Sequence, residues 1–161
     1  MNDYIYLSPK SVISEGKIIT NGSNFLSDQF NLTSRSIISK NTEVELNYLG
    51  YPQNVLKSNN VEFKYDIAKN TINLAAEYFD EKNYILPFYE TQTSLLNSSW
   101  EIDKITLVFT NPKSDDINPS FFYSSSDKFK EWNFSSQQAE INLDEKTLNI
   151  KQVPELSLIH I

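Results

Sequence analysis

The chain has 161 residues, of which 39% are hydrophobic, 13% aromatic and 22% charged, and its formal net charge is −7 at pH 7. This length suits one ordinary domain with a hydrophobic core, and the acidic balance disfavours nucleic acid and anionic membrane surfaces as partners, because both attract Lys and Arg. Cysteine is absent, which excludes disulfides and thiolate metal sites, and the single histidine is His160.

Residues 1–40 have the least regular pattern and are rich in Ser and Asn. Asn21-Gly22 lies between two apolar pairs, and Asn-Gly is a strong signal for a tight hairpin turn. We therefore expect residues 1–40 to form an opening hairpin or a docking arm. No basic stretch followed by an apolar stretch opens the chain, so no signal peptide is visible, and no segment approaches the roughly 18 apolar residues of a membrane helix. We expect no membrane insertion.

Apolar and polar residues alternate through much of the remaining chain, as they do on a half-buried strand. The clearest alternating runs are 43–48, 61–67, 71–74, 105–109, 139–143 and 148–150. Turn-forming residues separate these runs, and short strands at regular spacing are typical of sandwiches and barrels. The sequence therefore predicts an all-β fold, an antiparallel β-sandwich over residues 41–155, for which a jelly-roll topology is one arrangement.

Two places interrupt the alternation. Trp100 and Ile102 share one phase while Leu107 and Phe109 share the other, which predicts a bulge or turn near Asp103-Lys104. Residues 75–79 could form one helical turn, but their neighbours favour a strand that runs out into a loop at residues 80–83.

The segment from Phe121 to Trp132 has a strand ending in Tyr-Ser, then Asp127, then Trp132. This order resembles the Tyr-Ser-x-Asp-Gly-x-x-Trp hairpin of discoidin-like domains, which are galactose-binding-like jelly rolls. Segments 51–56, 70–74 and 102–109 resemble earlier parts of that family, so the resemblance covers residues 50–134. Lys128 stands where the family has glycine, and Leu74 is followed by alanine instead of glycine.

The resemblance implies a module that binds glycans or lipid head groups through loops at one end of the sandwich, as most members do, although some are structural. The candidate ligand-binding residues are Tyr123, Asp127, Phe129 and Trp132. A flat aromatic ring offers its face to the C–H surface of a sugar. The alternative is that Phe129 and Trp132 fill the core, as aromatic residues in β-sandwiches mostly do.

Two oxygen-rich loops are candidates for calcium, the one cofactor under consideration, because calcium takes six to eight oxygen ligands. The first contains Asp115, Asp116 and Asn118, and the second contains Asp80, Glu81 and Asn83. Neither has the ligand spacing of an EF-hand, and a solvated turn is the alternative in both.

The sequence gives little indication of catalytic activity. Glu43 and Glu45 share a strand face that should be solvated, whereas a glycoside hydrolase needs at least one buried carboxyl with a raised pKa. Glu101 and Asp103 share this problem. The three glycines are too sparse for a nucleophile elbow, a phosphate loop or a dinucleotide motif. We expect no catalytic activity.

The last six residues, Leu156 to Ile161, resemble the in-frame translation of a transposase adaptor used in sequencing libraries. We therefore expect residues 156–161 to be a non-native tail and the β-sandwich to lack a C-terminal part of its own chain. The alternative is a natural apolar terminus that ends on a strand.

These observations predict a non-catalytic binding module of a larger surface or virion-associated protein, which recognises a glycan or a partner protein. One alternative is a purely structural or assembly domain, for example of a phage appendage or tail, and a less favoured one is a carboxylate-based glycoside hydrolase. A binding module should expose at least one ring beside Asp, Asn or Ser side chains, whereas a structural module should bury Tyr123, Phe129 and Trp132.

Overall fold

The computed structural model describes residues 5–7, 12–112, 120–130 and 132–151, with residues 5–7 described by their backbone alone. The predicted calcium loop at Asp115, Asp116 and Asn118 lies outside these residues, as does the predicted tail at 156–161. No α-helix occurs in the described ranges, where the one helical element is a single 3-10 turn at Pro87–Tyr89.

The described residues form fourteen strands joined in one curled antiparallel sheet. The strands are β1 (Ile5–Leu7), β2 (Val12–Thr20), β3 (Ser23–Leu32), β4 (Ser36–Leu46), β5 (Leu56–Asp66), β6 (Thr71–Ala75) and β7 (Tyr84–Leu86). After the 3-10 turn follow β8 (Thr91–Thr93), β9 (Asn97–Glu101), β10 (Thr106–Thr110), β11 (Phe121–Ser124), β12 (Asn133–Ser135), β13 (Gln138–Asn142) and β14 (Thr147–Lys151). The predicted all-β antiparallel sandwich is confirmed.

Strand β5 is where the sheet divides into two layers. Its second half, Glu62 to Asp66, pairs with β6, and the ladder continues through β9, β10, β13 and β14. Near its start, Lys57 pairs with Ile85 of β7, and from there the ladder continues through β8, β11 and β12. The two branches fold over one another, and the core lies between them.

Rings from both layers meet in this core. The ring of Tyr84 in β7 lies 5.5 Å from that of Phe109 in β10, and both side chains are fully buried. The Tyr84 hydroxyl donates to the carbonyls of Leu74 and Leu96, at 3.2 and 2.9 Å. The single polar atom of this side chain is thereby satisfied inside the protein, which offsets the cost of its burial.

The alternating runs predict the strands well. In β4, Val44 and Leu46 are buried while Glu43 is exposed, and in β5 Val61 and Phe63 are buried. A turn at residues 102–105 joins β9 to β10, as the change of phase near Asp103-Lys104 predicts. Strand β6 ends at Ala75 and runs into a loop, so residues 75–79 form no helical turn.

Residues 12–40 pair and pack in the same sheet and core as the rest of the described chain. The turn predicted at Asn21-Gly22 joins β2 to β3, and both residues have positive φ angles of 48° and 78°. The boundary drawn at residues 40 and 41 lies inside β4, and Phe25 and Phe30 of β3 are buried in the common core. No helix in the described part of the chain is both long and apolar enough to cross a membrane.

Candidate functional site

The hairpin between β11 and β12 forms one wall of a surface groove of about 340 Å³. Backbone hydrogen bonds set the course of its loop: Phe129 donates to Ser126, Trp132 to Phe129, and Ser124 to Trp132, all at 3.0–3.1 Å. Because β11 also pairs with β8, the hairpin is fixed to the rest of the second layer. The loop is therefore anchored at both ends and folded back on itself.

We call this groove the aromatic groove, because six of its lining residues carry rings. They are Tyr89, Phe122, Tyr123, Phe129, Trp132 and Phe134. The other lining residues are Glu90, Thr91, Ser124, Ser126 and Ile150. They come from the 3-10 turn, β8, the β11–β12 hairpin and β14, so the groove joins segments that are far apart in sequence.

Phe129 and Trp132 are the exposed rings of the groove. Their side chains are 44% and 43% exposed, and their ring centroids lie 4.6 Å apart at an interplanar angle of 44°. Phe134 lies edge-on to Trp132 at 6.3 Å and supports it from the strand. The alternative that Phe129 and Trp132 fill the core is wrong. Phe122 and Trp100 are buried instead.

Two serine hydroxyls lie in the same groove. Ser124 Oγ accepts the backbone N–H of Ser126 at 3.2 Å, and Ser126 Oγ accepts that of Lys128 at 3.4 Å. Because each hydroxyl is an acceptor in these bonds, its own proton can be donated to another group. The groove thus combines ring faces with hydrogen-bond donors.

Glu90 is the acidic residue of the groove, and its backbone is tightly fixed. It ends the 3-10 turn in a left-handed conformation, with φ 47° and ψ 45°. Its N–H donates to the Pro87 carbonyl at 3.1 Å, and its carbonyl accepts the N–H of Ser125 at 2.8 Å. A non-glycine residue in this conformation is uncommon and is retained where the surroundings determine it.

The tyrosines around the groove are held in their neutral form. Burial raises the pKa of Tyr89 strongly, and its hydrogen bond to the Tyr51 hydroxyl, at 2.9 Å, raises it further. Burial also raises the pKa of Tyr123, and the negative charge of Glu81 adds to that shift. Both phenols therefore stay protonated to a higher pH than an ordinary tyrosine and keep a hydroxyl for hydrogen bonding.

The structure brings together three of the four predicted site residues, Tyr123, Phe129 and Trp132. Asp127 does not line the groove: its side chain is 91% exposed and pairs with Lys130 at 2.8 Å. Sequence reasoning missed Tyr89, Glu90 and Phe134. The one local signal is Phe134 itself, which follows Trp132 at the two-residue spacing of a strand face.

The other predicted acidic sites remain on the surface. Glu43 is exposed, and Glu45 pairs with Lys57 at 3.2 Å, a hydrogen bond that lowers the pKa of Glu45. In the second calcium candidate, Asp80 accepts the backbone N–H of Lys82 and Asn83 donates to the Tyr78 carbonyl, as in an ordinary solvated turn. Within the described ranges, no three His, Cys, Asp or Glu residues are grouped so that they could hold a metal ion.

Comparisons with known proteins found no match to this chain, either among family models, among curated proteins or among solved structures.

Proposed function

We propose that the chain is a non-catalytic binding module of a larger surface or virion-associated protein, and that its aromatic groove binds a saccharide. One observation carries the proposal: Phe129 and Trp132 present two touching, half-exposed rings beside serine hydroxyls. Leaving large rings in water costs free energy unless a partner covers them. The discoidin-like resemblance, in which this hairpin belongs to a ligand-binding module, agrees with the proposal.

The size of the groove favours a small ligand over a protein surface. A volume of about 340 Å³ lies at the lower end of the range for small-molecule sites, which is roughly 300–1,000 Å³. A stable protein interface instead buries about 800 Å² on each partner. Two rings on one hairpin loop offer much less than that, so a few sugar units match the site better.

The chemistry of the lining matches a sugar. A pyranose ring has C–H groups on its faces, which pack on aromatic rings, and hydroxyls at its edge, which need donors and acceptors. The groove offers Phe129 and Trp132 for the faces and Ser124, Ser126 and Tyr123 for the edge. Glu90 is the one acid among the described lining residues, whereas glycoside hydrolysis requires two opposed carboxyl groups. The groove therefore suits binding without cleavage.

Titration of the chain with neutral gluco-, manno- and galacto-oligosaccharides tests the proposal, with tryptophan fluorescence as the readout. The chain has two tryptophans, of which Trp100 is buried and Trp132 is half-exposed, so stacking of a sugar should change the emission of Trp132. We expect saturable binding that Phe129→Ala and Trp132→Ala each weaken at least about tenfold, since a buried aromatic contact is worth 1–3 kcal/mol or more.

The matched control is Phe79→Ala, because Phe79 is 47% exposed but lies outside the groove. This variant should bind like the parent chain. Equal loss in Phe79→Ala and Phe129→Ala would show that the groove is not the site. Absence of saturable binding to every saccharide, by a chain that unfolds cooperatively, would overturn the proposal and favour a structural or protein-binding module.

A further inference from the structure

The charged residue that lines the aromatic groove is acidic. Glu90 lines the groove, and its backbone N–H and carbonyl are both hydrogen-bonded there. Glu81 lies close enough to Tyr123 for its negative charge to add to the raised pKa of that phenol. The Glu90 carboxylate therefore puts negative charge in the lining of the groove, where a ligand would lie.

The neighbouring cations lie outside the lining of the groove. No described residue that lines the groove is positively charged. Lys130 pairs with Asp127 at 2.8 Å, so its charge is already matched, and Lys128 is exposed outside the lining. The aromatic faces add to the effect, because the face of a ring is the negative pole of its quadrupole and attracts cations.

The backbone of Glu90 is held next to the loop that carries the rings. The Glu90 carbonyl accepts the N–H of Ser125, in the loop that carries Phe129 and Trp132. The 3-10 turn and the hairpin loop are therefore joined directly beside the ring pair. A ligand stacked on these rings cannot avoid the charge by moving the loop without breaking this bond.

We infer that the aromatic groove selects saccharides by charge, accepting neutral and amino-bearing sugars and rejecting those with carboxylates. The inference rests on the proposed function. It assigns Glu90 as the residue that determines which charge on a sugar is favoured. The Glu90 carboxylate attracts an ammonium group and repels a carboxylate, so a neutral sugar should have an intermediate affinity. A carboxylated sugar would also meet the negative ring faces, with no cation among the described lining residues to compensate.

Charge series built on one sugar backbone test the inference. The full chain is titrated with β-1,4-linked gluco-hexaose, its 2-amino form and its 6-carboxylate form, and with the corresponding galacto series. In each series that binds, the amino form should bind at least about threefold more tightly than the neutral form, and the neutral form at least about threefold more tightly than the carboxylate, at low salt. High salt should bring these affinity ratios closer to one, because dissolved ions screen charges in a groove that is open to solvent.

Glu90→Gln removes the charge while keeping the shape of the side chain. It should bring the three affinities within about twofold of one another, with the carboxylate form gaining most. Glu62→Gln is the control, because Glu62 is exposed on β5, outside the groove, and its replacement changes the net charge equally. An unchanged order of affinities in Glu90→Gln, or the same change in Glu62→Gln, would overturn the role of Glu90.

The two proposals fail in different ways. If the neutral and carboxylated forms bind equally well, the groove binds saccharides but does not select them by charge. If no form in either series binds and no manno-oligosaccharide binds, both the saccharide-binding role and the charge selection are wrong. If only manno-oligosaccharides bind, the same charge series is built on that sugar, and the same order of affinities is expected.

Discussion

Phe63 and Phe129 illustrate two ways in which this chain uses aromatic pairs. Phe63 in β5 lies 4.8 Å from Phe25 and 5.9 Å from Phe30, and Phe129 lies 4.6 Å from Trp132. The ring distances are similar, but the three phenylalanines of β3 and β5 are fully buried while the two rings of the hairpin loop are half-exposed.

The difference comes from how the flanking strands cover the rings. Strands β3, β4 and β5 have 10 or 11 residues each and pair in one continuous group, so that a second layer can close over them. Strands β11 and β12 have four and three residues, and their loop turns back at the rim of the second layer. A ring pair adds to stability when it is covered on all sides, and it remains available to a ligand when it is not.

Phe63→Ala should have the largest effect on stability. Removal of a fully buried phenylalanine that contacts two other rings should lower the free energy of unfolding by about 3–5 kcal/mol. Chemical denaturation followed by fluorescence measures the change. Phe79→Ala is the control, since it removes the same kind of ring from an exposed loop. A similar loss of unfolding free energy in both variants would show that burial of the ring does not determine its contribution.

High pH should destabilise the core around Tyr84. Burial raises the pKa of Tyr84, so the folded state keeps this phenol neutral, whereas the unfolded chain ionises near pH 10. The stability from this group is complete below pH 10 and is lost as the pH rises above it, by about 1.4 kcal/mol per pH unit. Urea midpoints at pH 9, 10 and 11 measure the slope.

Tyr84→Phe provides the control for this slope. It should cost about 1 kcal/mol at neutral pH, because the carbonyls of Leu74 and Leu96 lose their shared donor. Above pH 10 it should also show a shallower decline than the parent chain. Identical slopes for the two proteins would mean that Tyr84 is not the group responsible.

Thr42→Val should stabilise the chain by about 1 kcal/mol. Thr42 is a residue of β4, and its hydroxyl is buried without a hydrogen-bond partner. Replacement of this hydroxyl by a methyl group of similar shape removes the free-energy cost of taking it out of water. Ser27→Ala is the contrasting variant, because Ser27 Oγ bonds to Ser39 Oγ and to the Asn41 carbonyl. The thermal midpoints should move in opposite directions, and a lower midpoint for Thr42→Val would contradict the expectation.

Phe129→Ala should have the smallest effect on stability, below about 1 kcal/mol, because its ring is half-exposed and contacts one other ring. Measurement of Phe129→Ala and Phe63→Ala in the same denaturation series compares a half-exposed ring directly with a fully buried one. A loss of 3 kcal/mol or more, in the range expected for core truncations, would show that the hairpin loop belongs to the core.

The strands of the fold could be predicted wherever they are long enough to show a period. Runs such as 61–67 contain several alternations, and β5 follows them closely. Strands β7, β8 and β12 have three residues each, which is too short for a two-residue period to be recognised. The second layer therefore depends on tertiary pairing, as does the division of β5 between two partners.

The candidate site could be predicted in part. Tyr123, Phe129 and Trp132 are close in sequence, so one unusual segment indicated them together. The exposure of their rings was not predictable, because the loop has no period and composition favours burial of aromatic residues. Tyr89 and Glu90 reach the groove from a turn more than thirty positions away, through the pairing of β8 with β11, and nothing in their local sequence signals this.

Strand β5 belongs to both layers, because it pairs with β6 through Glu62 to Asp66 and with β7 at Lys57, so a disturbance of β5 reaches both layers. Amide protons of β5 should be among the slowest to exchange with solvent, because β5 pairs with β4 on one side and with β6 on the other. We expect a protein that carries this chain as a module to gain a unit whose two layers unfold together, because they share this strand.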